Sequence, residues 1–175
     1  MAQVSWMQYS TTDYLNFWNI ADRLSPGSKG DDVKLLQYLL YWFNVQSGNF
    51  AYTLGDVDGD WGPRTSAAVA ALEQTGPNFI VPDAAMGIGA GPFVADGVVD
   101  VVPGLGYTSI LGPYKLFALQ TNYATLHNVD ISDHNARGLC LMAMPDDGFC
   151  PDDLAYALNA AKESSNVPMP QSADP

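Results

Sequence analysis

The feature that most constrains the fold is a glycine-pinned turn set between two short helical patterns, within residues 24–74. The order runs Leu24, Gly27, Gly30, Val33, Leu36-Gln37 and Leu40. After a loop come Asp58-Gly59-Asp60-Trp61-Gly62-Pro63, Thr65, Ala68-Val69 and Leu72. Asp31 and Asp32 sit where a first helical turn favours negative charge, because its unpaired N–H groups carry partial positive charge. Val33, Leu36, Leu40 and Phe43 follow at helical spacing and predict one buried stripe, with Lys34 and Tyr38 left on other faces. Pro63 suits a first helical position, where a missing N–H is no loss. Thr65, Ala68, Val69 and Leu72 therefore predict a second helix that stops near Gly76-Pro77.

This arrangement resembles the peptidoglycan-binding domain family, the small three-helix wall-binding type. The residues that carry the resemblance are Gly27, Gly30, Val33, Leu36, Gln37, Leu40, Asp58, Gly59, Trp61, Gly62, Thr65, Ala68 and Val69. The chain departs from the family where Leu72-Glu73 stands in place of Phe-Gln, and in a longer, more aromatic loop over residues 44–57. The resemblance implies a mainly α fold, a small three-helix bundle, and a groove near Gln37, Tyr38, Trp61 and Arg64 holding glycan or stem peptide. Trp61 has two readings, filler of the seam between helices or sugar platform at the groove lip, and the first is preferred.

A third helix is expected over residues 14–23, from the N-cap candidates Thr11, Thr12 and Asp13 and the spacing of Tyr14, Phe17, Trp18 and Ala21. Its Phe17 and Trp18 would cover the module just described. Residues 1–10, with Trp6, Met7 and Tyr9, read as an aromatic arm that docks on a neighbouring surface. Residues 1–76 thus form an arm and a first helical module, and residues 77–112 a connector rich in glycine and proline. Within that connector, Phe79-Ile80-Val81 and the β-like run from Val98 to Val102 are too apolar for a free linker, so the segment should pack on something.

Residues 113–163 read as a degenerate second copy. Leu116, Leu119-Gln120 and Tyr123 repeat the spacing of Val33, Leu36-Gln37 and Leu40, and Asp146, Phe149, Pro151 and Ala157 repeat Asp58, Trp61, Pro63 and Val69 after an insertion. Pro113 and Pro151 take first helical positions, and Leu154, Ala157, Leu158 and Ala161 give the last helix its apolar face. Ser164-Ser165-Asn166 should end it, leaving residues 164–175 as a tail with the composition of a disordered end.

Charge narrows the partners. Seven basic against nineteen acidic residues give a net charge of −12, which argues against nucleic acid, whose phosphates need a cationic surface. It also argues against electrostatic attraction to an anionic membrane or wall, so glycan binding would rest on shape, hydrogen bonds and stacking. The N-terminus shows no basic region followed by an apolar run, and no stretch reaches the ~18 apolar residues of a membrane span. Neither a Sec signal nor membrane insertion is expected. Cys140 and Cys150 leave two readings open, a short-loop disulfide or two buried free thiols.

Chemistry is weakly signalled. His127-Asn128-Val129-Asp130-Ile131-Ser132-Asp133-His134 holds both histidines, but Ser132-Asp133-His134 with Gly138 is a poor match to the Ser-x-His-x-x-Gly stretch of wall-cutting zinc peptidases. No later His or nearby Glu completes a site, so the stretch reads as a polar loop capping a helix that begins near Asn135. Asp56, Asp58 and Asp60 invite a calcium reading, but Trp61 and Ala67 stand where an EF-hand loop needs its Gly and Glu, so a turn is expected. No carboxylate pair or nucleophile elbow is selected. The expectation is a non-catalytic protein without metal or cofactor. It would be a structural component of a phage or virus-like particle or injection assembly, located in a virion or extracellular particle and contacting other protein subunits. The alternative is a genuine peptidoglycan-recognition module, adhesive or targeting a wall-degrading system.

Overall fold

The computed structural model describes residues 1–8, 14–75, 93–102 and 114–165. Among these, two strands, β1 (Gln3–Gln8) and β2 (Tyr14–Asn19), precede five α-helices: α1 (Asp31–Ser47), α2 (Pro63–Thr75), α3 (Lys115–Leu126), α4 (His134–Met142) and α5 (Asp152–Glu163). The described chain is mainly α with one small sheet.

α1 begins after Gly30, at φ 112°, and ends on Gly48, whose left-handed backbone lets its N–H reach the Asn44 carbonyl. This is the glycine C-terminus that helices favour. The helix is not the one-sided stripe expected. Leu35, Gln37, Tyr38 and Leu39 are buried along with Val33, Leu36, Leu40 and Phe43. Tyr38 is covered because α3 lies against that side, its Tyr123 ring 6.4 Å from the Tyr38 ring. A helix clasped by neighbours on several sides is apolar on several sides, and the aromatic residues of α1 supply that surface.

The helix expected over residues 14–23 is instead β2, paired antiparallel with β1 in the register Val4↔Trp18 and Met7↔Leu15. The arm expected to dock on a neighbouring surface instead holds β1 and folds into this molecule, with Ala2, Val4 and Met7 buried. Leu15, Asn16, Phe17, Trp18 and Asn19 are all buried, so β2 is covered on both faces and shows no alternation to betray it. Phe17 and Trp18, expected to cover the first module, meet α3 and α4. The Phe17 ring meets Phe117 edge-on at 5.6 Å, and the Trp18 indole N–H donates to the Leu141 carbonyl at 2.7 Å.

Side-chain amides complete this sheet. Gln120 Oε1 accepts from the Trp18 N–H at 2.6 Å, and its Nε2 donates to the Trp18 carbonyl at 2.7 Å. Asn19 does the same to Val102, accepting from its N–H at 3.0 Å and donating to its carbonyl at 2.7 Å. Leu24 and Val99 exchange two backbone hydrogen bonds of 2.9 Å. The segment at 93–102 therefore packs, as its apolar residues require, with Phe93, Val99 and Val102 buried. Its β-like run supplies one isolated bridge at Val99 rather than a strand pair. Phe79-Ile80-Val81 lie outside the described residues.

Lys115, at the start of α3, is 7% exposed. Its ammonium donates to Glu73 of α2 at 2.7 Å, to Asp96 at 2.9 Å and to the Val98 carbonyl at 2.7 Å. A buried ammonium is tolerable only when its protons are all taken, as here. Leu36, Leu40, Val69, Leu72, Phe117, Leu119, Leu154 and Leu158 belong to one contiguous core. α3 and α5 fall where the second helical pattern was read, though Pro151 stands one residue before α5 and Pro113 is outside the described residues. Gln120 faces β2, whereas Gln37 faces a turn. Among the described residues no helix is long and apolar enough to cross a membrane.

Candidate functional site

The glycine-pinned turn is built around Gln37, which is 1% exposed. Its Oε1 accepts from the N–H groups of Asp58 at 3.0 Å and Gly59 at 2.8 Å. Its Nε2 lies within hydrogen-bond distance of Asp58 Oδ1, the Asp60 carbonyl and Thr65 Oγ1, at 3.0, 3.0 and 3.1 Å. Gly59 has φ 83°, and a Cβ there would come within 3.0 Å of the Lys34 side chain, so the turn requires glycine. Trp61, 4% exposed, donates its indole N–H to Ser66 Oγ at 2.8 Å and fills the seam.

Of the other expected ligand residues, Arg64 is exposed and its guanidinium donates to both oxygens of Asp56 and to the Ala51 carbonyl. That pair holds the Asp56 carboxyl below its ordinary range. Tyr38, one position on from Gln37, is fully buried and directed elsewhere. Gln37, Trp61 and Arg64 are thus gathered about one turn and Tyr38 is not. Two clefts among the described residues, of about 470 and 310 Å³, are lined around Asp22, Lys29 and Asp32 and around Asn49, Gln74 and Thr75. None of the four expected residues lines either.

The acidic turns are used up locally. Asp58 Oδ1 accepts from the Asp60 N–H at 2.9 Å, Asp130 Oδ1 accepts from the N–H and hydroxyl of Ser132, and Asp133 caps α4 by accepting from the Ala136 N–H at 3.0 Å. These are the turn and cap roles read from the sequence. Among the described residues no group of three His, Cys, Asp or Glu side chains is placed to hold a metal.

A second polar centre has no clear local signature in the sequence. Asp147 Oδ2 accepts from the hydroxyls of Tyr38 on α1 and Tyr123 on α3, the latter at 2.6 Å. Its Oδ1 accepts from the N–H groups of Phe149 and Cys150, both at 2.8 Å. Burial, reinforced by the bonds to this carboxylate, pushes both tyrosine hydroxyls far above their ordinary value of 10.0. Cys140 and Cys150 are free and half-buried. Burial first, then the Asp147 charge, raises their thiols to about 11 and about 12. At neutral pH these four groups stay protonated, as donors and packing surface rather than nucleophiles.

Above this centre Trp42 is ringed by aromatic side chains. His127 lies at 4.8 Å, Tyr41 at 5.3 Å, Phe149 at 5.5 Å and Tyr123 at 5.8 Å between ring centroids, all near edge-on. His127 stacks on Tyr123 at 4.0 Å, and its Nδ1 lies 2.7 Å from the Tyr123 carbonyl. Tyr123 and Tyr38 form a buried floor, while Tyr41, Trp42 and His127 are half-exposed and Phe149 exposed. Only an exposed Phe between two Asp-Asp pairs could have drawn attention to this ridge from sequence.

No family model, curated protein or solved structure matches this chain.

Proposed function

We propose that this chain is a non-catalytic structural protein, a subunit of a phage or virus-like particle or injection assembly, and that its work is contact with other proteins. In this reading residues 24–74 keep the peptidoglycan-binding type of helix–turn–helix as a rigid brick.

One observation carries the reading: three of the four residues that would grip a wall ligand are engaged inside the molecule, and the fourth, Arg64, is paired with Asp56 on the surface. Gln37 holds the turn backbone, Tyr38 is buried on Asp147, and Trp61 fills the helix seam. An aromatic ridge meanwhile stands exposed on another part of the surface, and such ridges are the usual material of protein interfaces.

The test is a sedimentation pull-down on insoluble peptidoglycan, with light scattering on the same monodisperse sample. The expected result is no saturable retention, together with a defined oligomer or co-purification with a particle. Saturable retention competed by soluble wall fragments would overturn the reading in favour of peptidoglycan recognition.

A further inference from the structure

The exposed ridge carries more information than its apolarity. Tyr41, Trp42 and Val45 share one face of α1 at i, i+1 and i+4, and His127 and Phe149 close it from the end of α3 and the loop before α5. Val45 is 51% and Phe149 53% exposed, and among the described residues the other exposed large apolar side chains are Met1, Val94 and Tyr156. Scattered exposed hydrophobics need no explanation, but these are contiguous with three half-exposed rings.

The chain around Phe149 is acidic, and its carboxylates act on the adjoining Cys150 thiol. Asp146, Asp147, Asp152 and Asp153 all lie within four residues of Phe149. Asp147 is committed to the two tyrosines below, and Asp153 to Lys34 at 2.6 Å. Asp146 and Asp152 are exposed and in no ion pair among the described residues. Aromatic faces carry negative quadrupole potential, so rings edged by carboxylates favour a cation.

A second copy is a poor source of that cation, because most of the chain's basic side chains already have acidic partners. All seven basic residues fall in the described part. Arg23, Lys29, Lys34, Arg64 and Lys115 are paired with Asp100, Asp60, Asp153, Asp56 and Glu73. Lys162 donates to the Met142 carbonyl, and Arg137 is buried over the Phe117 ring. A homodimer across this face would place like charges together.

We infer that the ridge of Tyr41, Trp42, Val45, His127 and Phe149 docks a basic segment of a different protein. The partner's apolar residues lie on the rings, and its Arg or Lys side chains reach the ring faces and the carboxylates of Asp146 and Asp152. The inference rests on the reading of this chain as a protein-contact subunit.

The probe is a pair of synthetic decapeptides alternating Leu with Arg, or Leu with Glu, titrated into ¹⁵N-labelled full chain. The indole resonance of Trp42 is assigned by Trp42→Phe. Saturable shifts of that indole and of the amides of residues 146–150 are expected with the Arg peptide only, weakening as salt rises from ~50 to ~300 mM. Phe149→Ser and the pair Asp146→Asn with Asp152→Asn change surface residues and should each weaken binding roughly three- to fivefold.

Equal response to both peptides, no saturable shift, or shifts spread over the acidic surface and unchanged by Phe149→Ser would overturn the inference. The structural reading fails separately, by retention on peptidoglycan. A defined assembly formed without any ridge response would sink this inference and leave that reading standing.

Discussion

The Gln120 carboxamide occupies the outer edge of β2 as a neighbouring strand would, accepting from the Trp18 N–H and donating to the Trp18 carbonyl. Through this pair α3 is locked to the N-terminal hairpin, 102 residues away in sequence. Replacing Gln120 by Leu keeps the volume and leaves both Trp18 groups buried without these partners. The expected cost is about 2–4 kcal/mol if the two deletions add, read as a lower urea midpoint with unchanged slope. A midpoint equal to that of the unsubstituted chain would show that water or another group satisfies Trp18.

Gln37 has the corresponding task in the glycine-pinned turn. Gln37→Leu orphans the Asp58 and Gly59 N–H groups, which its oxygen holds at 3.0 and 2.8 Å. A loss of about 2–4 kcal/mol is expected if the two deletions add, with the largest rise in amide exchange at residues 58–60. Destabilisation without faster exchange there would place the effect elsewhere.

Trp61 decides between seam and sugar platform. With the ring 4% exposed and its N–H on Ser66, Trp61→Ala should cost about 3–5 kcal/mol in thermal or urea unfolding. Stability within error of the parent, paired with lost wall retention, would restore the platform reading.

Alkaline pH should weaken the fold. The thiols of Cys140 and Cys150 ionise at about 11 and about 12 when folded, against an ordinary 9.0, and Tyr38 and Tyr123 are raised above an ordinary 10.0. Above the ordinary values the folded state therefore binds more protons than the unfolded chain. The stabilisation is fully present below about pH 9 and is lost as pH rises toward the folded values. The unfolding midpoint should hold steady between about pH 7 and 8.5 and then fall. A double Cys140→Ala, Cys150→Ala variant, though less stable overall, should lose less between pH 9 and 11. An identical decline in both would remove the thiols from the account.

The same raised values bear on reactivity, which follows the thiolate fraction. Alkylation of either thiol by iodoacetamide at pH 8 should run at least ~10-fold slower than for a free cysteine, and accelerate with pH. Asp147→Asn should speed it by removing the nearby negative charge. Prompt alkylation of the native parent at pH 8 would mean that the loop opens readily.

Much of the helical architecture was legible because its causes are local. Asp31 and Asp32 open α1, Pro63 opens α2, Asp133 caps α4, and α5 ends before Ser164. The glycine-pinned turn itself was legible between the two helices, with Gln37 and Trp61 read beside it as candidate groove residues. The sequence did not disclose that these residues would be consumed in holding that turn, because hydrogen-bond partners are a property of the folded neighbourhood.

What the sequence determined by itself was much of where the chain coils, where glycine must break it, and that the chain carries a strong net negative charge. Tertiary structure alone decided the rest. β2 has helical spacing in Tyr14, Phe17 and Trp18, and it is a strand because β1 and the Gln120 amide satisfy its backbone from elsewhere in the chain. Tyr38 looked free on a helix face until α3 covered it, and Asp147 became a centre only when Tyr38 and Tyr123 converged on it from two helices. Periodicity records the preferences of neighbours along the chain, whereas burial and pairing depend on which distant segments come to lie against them.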